Sequence, residues 1–363
     1  MLTAEEKQNR AIELAHMLTT QIGDSHEMAQ EVVNYLNKKY KIMLKTEYDS
    51  LAKRFLSDLN LPFQFVDFNH FMYCINTFGY KKKWENLLAL IDERYDGNPN
   101  KFLDDYYQIR DNIINSTLNN NGYQYFNTLM EMDYFSLDAE SRCIPSTSIY
   151  NRENNKKYFL SIDLKHSNFQ TLKHILSGIV NNANTYEEFI GGFTDLDYIK
   201  NSKYTRQVIF GKLNPKRQIT ATKYFTNEIR KLVEPIINPY GYKIVSMRTD
   251  EIVFEVPANE IHTELTDELH DMILETTKFD VHVEFFKLFA FEFKDMESGT
   301  CKFTFYQKDF GDGDISFKGI PNTYYKMVQK LYFNEPLCDE DYLFEYEGTP
   351  AQLLDEFQIK LID

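Results

Sequence analysis

The chain has 363 residues, with 40 Lys or Arg against 55 Asp or Glu, which gives a formal net charge of −15 at pH 7. This length allows one large domain or two modest ones with a buried core, and the negative balance argues against a protein that coats nucleic acid through a general positive field. The four cysteines have no C-x-x-C spacing, so they indicate neither a zinc site nor a disulfide framework.

The sequence shows no signal peptide at its start and no apolar run near the roughly 18 residues that a membrane span requires. We therefore expect a soluble, cytoplasmic protein. The abundance of Tyr, Phe, Asn, Lys and Ile is typical of AT-rich viral or phage coding, in which case the location would be the host cytoplasm.

Residues 1–145 predict an N-terminal helical region. Apolar residues recur at three-and-four spacing over 5–19, 25–36 and 51–59. The stretch 141–155 is typical of a linker, so we expect a domain boundary there.

From residue 157 the pattern changes to alternating strands and helices. The predicted elements are a strand at 158–162, helices at 169–180 and 220–237, a hairpin at 243–256, a helix at 263–277, a strand at 281–293, a hairpin at 302–317 and a helix at 324–332. Pro215 is expected to interrupt the chain before the helix at 220–237. This order predicts an α+β fold in which helices cover one face of an antiparallel sheet.

One basic segment stands out in this acidic chain. Between Lys200 and Lys231 there are nine positive residues, and Glu228 is the only acid. Since acids are nearly absent, ion pairing on a solvated helix face does not account for the segment.

Two adjacent acids, Asp250 and Glu251, lie where a tight hairpin usually has Asn-Gly or Asp-Gly. Asp163 ends the strand at 158–162, which would lie beside this hairpin. Carboxylates that converge at strand ends suit Mg²⁺ or Mn²⁺, and two such ions support an in-line phosphoryl displacement. The alternatives are that Asp163 caps the following helix and that Asp250 and Glu251 form an exposed turn.

These segments resemble the right-hand, family A nucleic-acid polymerases, the DNA polymerase I type. Residues 243–257 are similar to motif C, whose hairpin carries His-Asp-Glu, although Thr249 replaces the His here. Residues 161–170 are similar to motif A, and 206–211 resemble the fingers helix. The gap between the fingers-like segment and motif C is shorter than in that family, and no exonuclease-like segment precedes the palm.

The resemblance implies a polymerase-like palm at 146–300, with reduced fingers inserted at about 183–218. The N-terminal region at 1–145 would then be thumb-like or a docking surface, and 301–363 would be a C-terminal extension made of a β-hairpin and a helix.

The activity implied is that of a metal-dependent nucleotidyltransferase that extends a nucleic-acid 3′ end, like a DNA or RNA polymerase in replication. Its partners would be a primer-template, nucleoside triphosphates and a replication protein, and its cofactor Mg²⁺ or Mn²⁺. Two alternatives stay open. One is a non-catalytic or split-polymerase subunit that acts through protein–protein contacts, and the other is a nucleotidyltransferase that needs no template.

The resemblance also implies roles for single residues. Asp163 and Asp250 would bind both metal ions, with the carbonyl of Leu164 as an extra ligand. Glu251 would be an auxiliary acid near the primer end. Outside the segments that carry the resemblance, Lys318 is predicted in a tight C-terminal loop, where it could approach the primer-template or donate a proton to pyrophosphate; the alternative is a structural turn.

The nucleotide itself would be bound by residues of motif A and the fingers. Lys203, Arg206 and Lys212 would hold the triphosphate, and Phe210 would stack on the nucleotide. Asn168 falls where the family senses the sugar 2′ position, and its small side chain predicts tolerance of ribonucleotides. The alternatives are surface charges for the cations, a core position for Phe210 and a polar helix position for Asn168.

Overall fold

The structure is a computed structural model and describes residues 48–362. The helices predicted at 5–19 and 25–36 lie outside these residues. The chain forms two compact units: one comprises the described residues up to Asp105 together with Leu337–Leu353, and the other comprises Tyr106–Pro336 together with the described residues from Leu354. No helix within 48–362 is long and apolar enough to cross a membrane.

The first unit is mainly helical, and Trp84 lies in its core. The ring of Trp84 packs edge-on against Phe55 and Phe71, with centroid distances of 5.3 and 4.8 Å, as aromatic pairs prefer. The helix predicted at 51–59 is confirmed. The elements of this unit are α1 (Tyr48–Asp58), α2 (Phe68–Thr77), α3 (Lys81–Tyr95), the start of α4 (Pro99–Leu118), and the hairpin β7 (Leu343–Tyr346) and β8 (Thr349–Gln352).

The second unit is α+β, as predicted. Its helices after α4 are α5 (Asn121–Gln124), α6 (Ala139–Cys143), α7 (Ser167–Ile175), α8 (Tyr186–Gly191), α9 (Asp197–Lys200), α10 (Lys203–Lys212), α11 (Pro215–Ile237), α12 (Leu265–Thr277) and α13 (Tyr325–Tyr332). Its strands are β1 (Tyr158–Leu164), β2 (Lys243–Met247), β3 (Glu251–Val256), β4 (Val281–Asp295), β5 (Cys301–Asp309), β6 (Ile315–Lys318) and β9 (Phe357–Leu361).

These seven strands form one sheet in the order β2-β3-β1-β4-β5-β6, with β9 also paired to β4. Alternate residues of a strand point to opposite faces. On one face Ile162 and Phe254 pack with Val233 of α11 and Ile273 of α12 in the main core. The other face carries a smaller cluster that includes Phe159. The prediction of helices on one face of an antiparallel sheet is therefore confirmed.

Two boundaries differ from the prediction. The break predicted before the helix at 220–237 is present, since α10 ends at Lys212, but α11 begins at Pro215 itself and not at 220. The Asn214 side chain accepts a hydrogen bond from the Arg217 amide, and proline is well tolerated in a first turn because its missing N–H would have no helical partner. Strand β5 pairs with β4 over most of its length. The strands expected in a C-terminal extension at 301–363 are therefore part of the main sheet.

Candidate functional site

The register of the central strands brings the three predicted acids together. Asp163 on β1 lies opposite Glu251 on β3. Just beyond this pair, the Leu164 amide donates a hydrogen bond to the carbonyl of Asp250 over 2.9 Å. The hairpin tip is thus fixed to the end of β1 by backbone bonds, which depend on no particular side chain.

The turn of this hairpin does not need a glycine. The Arg248 amide donates to the Glu251 carbonyl over 2.8 Å, and no residue from Arg248 to Glu251 is among those of the described chain that have φ > 0. Helix α11 also contacts the hairpin tip, because the Thr226 hydroxyl donates a hydrogen bond to the Thr249 carbonyl over 2.9 Å. The acids therefore occupy a turn whose backbone any residue can adopt.

Asp163 is not a helix cap. The N-cap of α7 is His166, whose side chain makes no capping hydrogen bond. The Asp163 carboxyl group is open to solvent on one side, but protein surrounds it on the others. Partial desolvation, together with the negative charges of Asp250, Glu251 and Glu284, raises its pKa to about 7.

The other two acids each accept a hydroxyl hydrogen bond. The Ser167 hydroxyl donates to Oδ2 of Asp250 over 2.9 Å, and the Ser161 hydroxyl donates to Oε1 of Glu251 over 3.0 Å. Both carboxylates are half-buried. Each serine fixes the orientation of a negative group without neutralising its charge.

A cavity of about 510 Å³ opens beside these acids. It joins the end of β1 and the start of α7 to helix α10. The residues that line it are Asp163, Leu164, Lys165, His166, Ser167, Asn168, Lys203, Arg206, Gln207, Phe210 and Asp250. Acids and bases thus face one open cavity that is large enough for a small-molecule ligand.

Most residues predicted for nucleotide binding line this cavity. Asn168, Lys203 and Arg206 are half-buried there, while Phe210 is buried in the core and contributes to the wall. Lys212, at the end of α10, is exposed and does not line the cavity. Glu251 also lies outside its wall, on the sheet beside Asp163.

Sequence analysis did not anticipate the surroundings of Arg206. Its Nη1 lies 2.7 Å from Nδ1 of His166, and its guanidinium carbon lies 5.7 Å from the centroid of the Tyr186 ring. His166 and Tyr186 stack on each other, with centroids 5.3 Å apart and ring planes 11° apart. These residues come from three separate segments, so no local motif could have linked them.

Two lysines of β5 and β6 lie on the same sheet face as the acids. The strand registers Leu288↔Lys308 and Tyr306↔Lys318 place them there. Lys308 is buried and forms an ion pair with Glu284, with 2.5 Å between Nζ and Oε1. The site therefore extends across the sheet from acids on β3, β1 and β4 to lysines on β5 and β6.

The pKa values of these two lysines are shifted in opposite directions. Burial lowers the pKa of Lys308, but its interactions with Tyr150 and Glu284 outweigh burial and raise that pKa above its ordinary value. Desolvation, followed by the neighbouring charge of Lys308, lowers the pKa of Lys318. Lys318 thus faces another cation as well as the acids.

The basic segment is only partly neutralised by ion pairs. Lys200 pairs with Asp197, and Lys231 pairs with Asp138 and Glu228. Within the described chain, four of its lysines are in no acid ion pair; these are Lys203, Lys212, Lys216 and Lys223. One of them, Lys203, faces the cavity.

The carboxylates suit a hard cation that completes its coordination from elsewhere. Within residues 48–362, no three His, Cys, Asp or Glu side chains form a group that would hold a metal ion alone. Mg²⁺ usually takes only one or two carboxylates and fills its other positions with water and substrate phosphate. Asp163 and Asp250 supply two carboxylates of this kind.

The sequence matches no model of a known protein family, and no curated protein sequence matches it significantly.

Proposed function

We propose that this protein is a metal-dependent nucleotidyltransferase that extends a nucleic-acid 3′ end from nucleoside triphosphates. The observation that carries the proposal is the cavity in which Asp163 and Asp250 face Lys203 and Arg206. A nucleoside triphosphate with its metal ion needs this combination of carboxylates for the cation and basic groups for the phosphates.

The acids would hold the cations. Asp163 and Asp250 would supply carboxylate oxygens, and the Leu164 carbonyl would be a further ligand. Mg²⁺ or Mn²⁺, when bound, would activate the attacking 3′ oxygen and stabilise charge on the leaving phosphate. Ser167 would keep Asp250 oriented through its 2.9 Å hydrogen bond. Glu251 would stay outside the metal sites as an auxiliary acid near the primer end.

The opposite wall of the cavity would bind the nucleotide. Arg206 and Lys203 would meet the triphosphate charge, and the guanidinium fork of Arg206 suits two phosphate oxygens at once. Phe210 would support the base or sugar from the wall. Asn168, in the first turn of α7, would lie next to the sugar.

The primer-template would lie along the open sheet face. Lys318 is exposed on this face beside Glu251 and Glu284, where a phosphodiester of the 3′ strand would be attracted by its charge. Such a contact would allow a chain with net charge −15 to bind a polyanion locally.

Incubation with a labelled primer-template, nucleoside triphosphates and Mg²⁺ or Mn²⁺ tests the proposal. Wild-type protein should extend the primer in a metal-dependent manner, and Asp250→Ala should reduce the rate at least 10³-fold, since a metal ligand is removed. Equal extension by the two proteins would contradict the assignment.

Two further measurements distinguish this proposal from a template-independent enzyme and from a non-catalytic subunit. Extension of a single strand without template would indicate a template-independent enzyme. The absence of any extension by a folded wild-type protein would favour a non-catalytic subunit. Glu255→Gln is a matched control, because Glu255 lies on β3 but pairs with the exposed Lys157.

A further inference from the structure

The guanidinium group of Arg206 is clamped by two aromatic side chains. His166 contacts it edge-on, with 2.7 Å between the two nitrogens, and Tyr186 lies under it at 5.7 Å. We infer that His166 and Tyr186 are positioning residues that fix Arg206 for a triphosphate. This inference rests on the proposed function and adds to it two residues that have no role in the motif-based predictions.

The backbone at His166 links this clamp to the acids. His166 follows Asp163 by three residues and has φ +47°, a left-handed conformation that His adopts more readily than most residues. It lies at the junction between β1 and α7 and lines the cavity. Arg206, by contrast, belongs to α10, so the contact joins the two walls of the cavity.

The protonation of the imidazole follows from its partner. Arginine is always charged and only donates hydrogen bonds, so Nδ1 of His166 must accept from Nη1 of Arg206. The ring proton is then on Nε2, which lies 3.5 Å from Oε1 of Glu187.

Tyr186 positions Arg206 through its aromatic ring and not through its hydroxyl group. The side chain is 1% exposed, and its hydroxyl has no hydrogen-bond partner in the described chain. A buried hydroxyl without a partner is unfavourable, so the hydroxyl does not explain why tyrosine packs here. Its ring stacks on His166 and faces the cation of Arg206, which are the interactions that a positioning role requires.

Fixing Arg206 would strengthen triphosphate binding in two ways. A long side chain held in one position loses less conformational entropy when a ligand binds. One of its five N–H donors is used by His166, which leaves the others for phosphate oxygens. Loss of the clamp should therefore weaken triphosphate affinity about 3- to 10-fold.

A double-mutant cycle on nucleotide binding tests the inference. Titration with a fluorescent nucleoside triphosphate and Mg²⁺ gives Kd for the wild type, His166→Phe, Arg206→Gln and the double variant. We expect His166→Phe to raise Kd 3- to 10-fold in the wild type and to have no effect once Arg206 is replaced. Equal effects in both backgrounds, or an unchanged Kd, would overturn the inference.

Kinetics and further variants keep the test independent of folding. In steady state, His166→Phe should raise the triphosphate KM more than it lowers kcat. Tyr186→Leu should weaken binding by a similar factor, and Tyr186→Phe, which keeps the ring, should weaken it less. Glu187→Gln, at an exposed residue, should raise Kd about 2-fold. If Tyr186→Phe raised Kd as much as Tyr186→Leu does, the result would count against the ring contact.

A matched histidine controls for the substitution. His262→Phe alters a histidine that contacts Glu260 and Glu264 outside the cavity, and it should leave Kd unchanged. Wild-type protein that binds no triphosphate would refute the proposed function itself. Wild-type binding that His166→Phe leaves intact would refute only the positioning role.

Discussion

Asp163 lies directly opposite Glu251 on the neighbouring antiparallel strand, and residues so paired project from the same sheet face. Like charges in this position repel each other and are destabilising. Their proximity is part of the reason that the pKa of Asp163 is about 7. Either a bound proton or a bound cation would relieve this repulsion.

Asp163→Asn should stabilise the metal-free protein at neutral pH. The carboxyl group titrates at 3.8 in an ordinary setting and at about 7 in the folded protein. Between these values the folded state keeps a proton that the unfolded chain has lost, so stability falls as pH rises through this window. Because the carboxyl group faces solvent, we expect a discounted gain of about 1 kcal/mol at pH 8, or about 2 °C in Tm.

Thermal unfolding in the presence of a chelator measures this difference. The gap in Tm between variant and wild type should be near zero at pH 4 and grow towards pH 8. Addition of Mg²⁺ should then raise the Tm of the wild type but not that of Asp163→Asn. A gap that does not change with pH would contradict the electrostatic account.

Ser167→Ala should weaken metal use without unfolding the protein. It removes the donor that lies 2.9 Å from Oδ2 of Asp250, and a hydrogen bond to a charged group contributes about 1.5 kcal/mol or more. We therefore expect extension to slow about 10-fold and the Mg²⁺ concentration for half-maximal activity to rise. Ser177→Ala, which removes an exposed hydrogen bond to Asn182, is the control; equal metal dependence in both variants would argue against the role of Ser167.

Lys318→Gln should weaken primer-template binding by removing one phosphate contact. The slope of log Kd against log salt should fall by about one unit in magnitude. Fluorescence anisotropy of a labelled primer-template, measured across a salt series, gives this slope. Lys360→Gln makes the same charge change at an exposed position on β9 and should leave the slope unaltered. An unchanged slope in Lys318→Gln would show that nucleic acid does not contact this part of the sheet.

Asn168→Tyr should increase discrimination against ribonucleotides. Asn168 lines the cavity, and its small side chain leaves room next to the sugar that a tyrosine ring would fill. Wild type should incorporate ribonucleotides within about 10-fold of the rate for deoxyribonucleotides, and the variant should widen this ratio at least 10-fold. Single-nucleotide extension assays compare the two, and strong preference for deoxyribonucleotides by the wild type would refute the prediction.

The sequence predicted the strands and most helices of the second unit because their apolar periodicity is long and regular. The strand predicted at 281–293 is β4, and the hairpin predicted at 243–256 is β2 with β3. What periodicity could not give was the partner of each strand. That β5 belongs to the main sheet depends on hydrogen bonds to β4, which leave no local mark in the sequence.

The candidate site was predictable where it rests on short segments. The neighbourhood of Asp163 and Asp250 follows from a strand end and a hairpin tip, and both patterns are local. The contact between His166 and Arg206 spans 40 positions, and His166 has a left-handed backbone that no propensity would assign to it. Lys212 was predicted to hold the triphosphate with Lys203 and Arg206; it does not line the cavity, and only the packing of α10 decides which of these cations do.

The central claim is that Asp163 and Asp250 together hold the metal ions of a bound nucleoside triphosphate. Crystals grown with Mn²⁺ and a non-hydrolysable triphosphate test it most directly, because anomalous scattering locates manganese independently of the protein. The account predicts manganese bound by both carboxylates, with the triphosphate extending to Arg206 and Lys203. Manganese bound elsewhere, or a triphosphate outside this cavity, would contradict it.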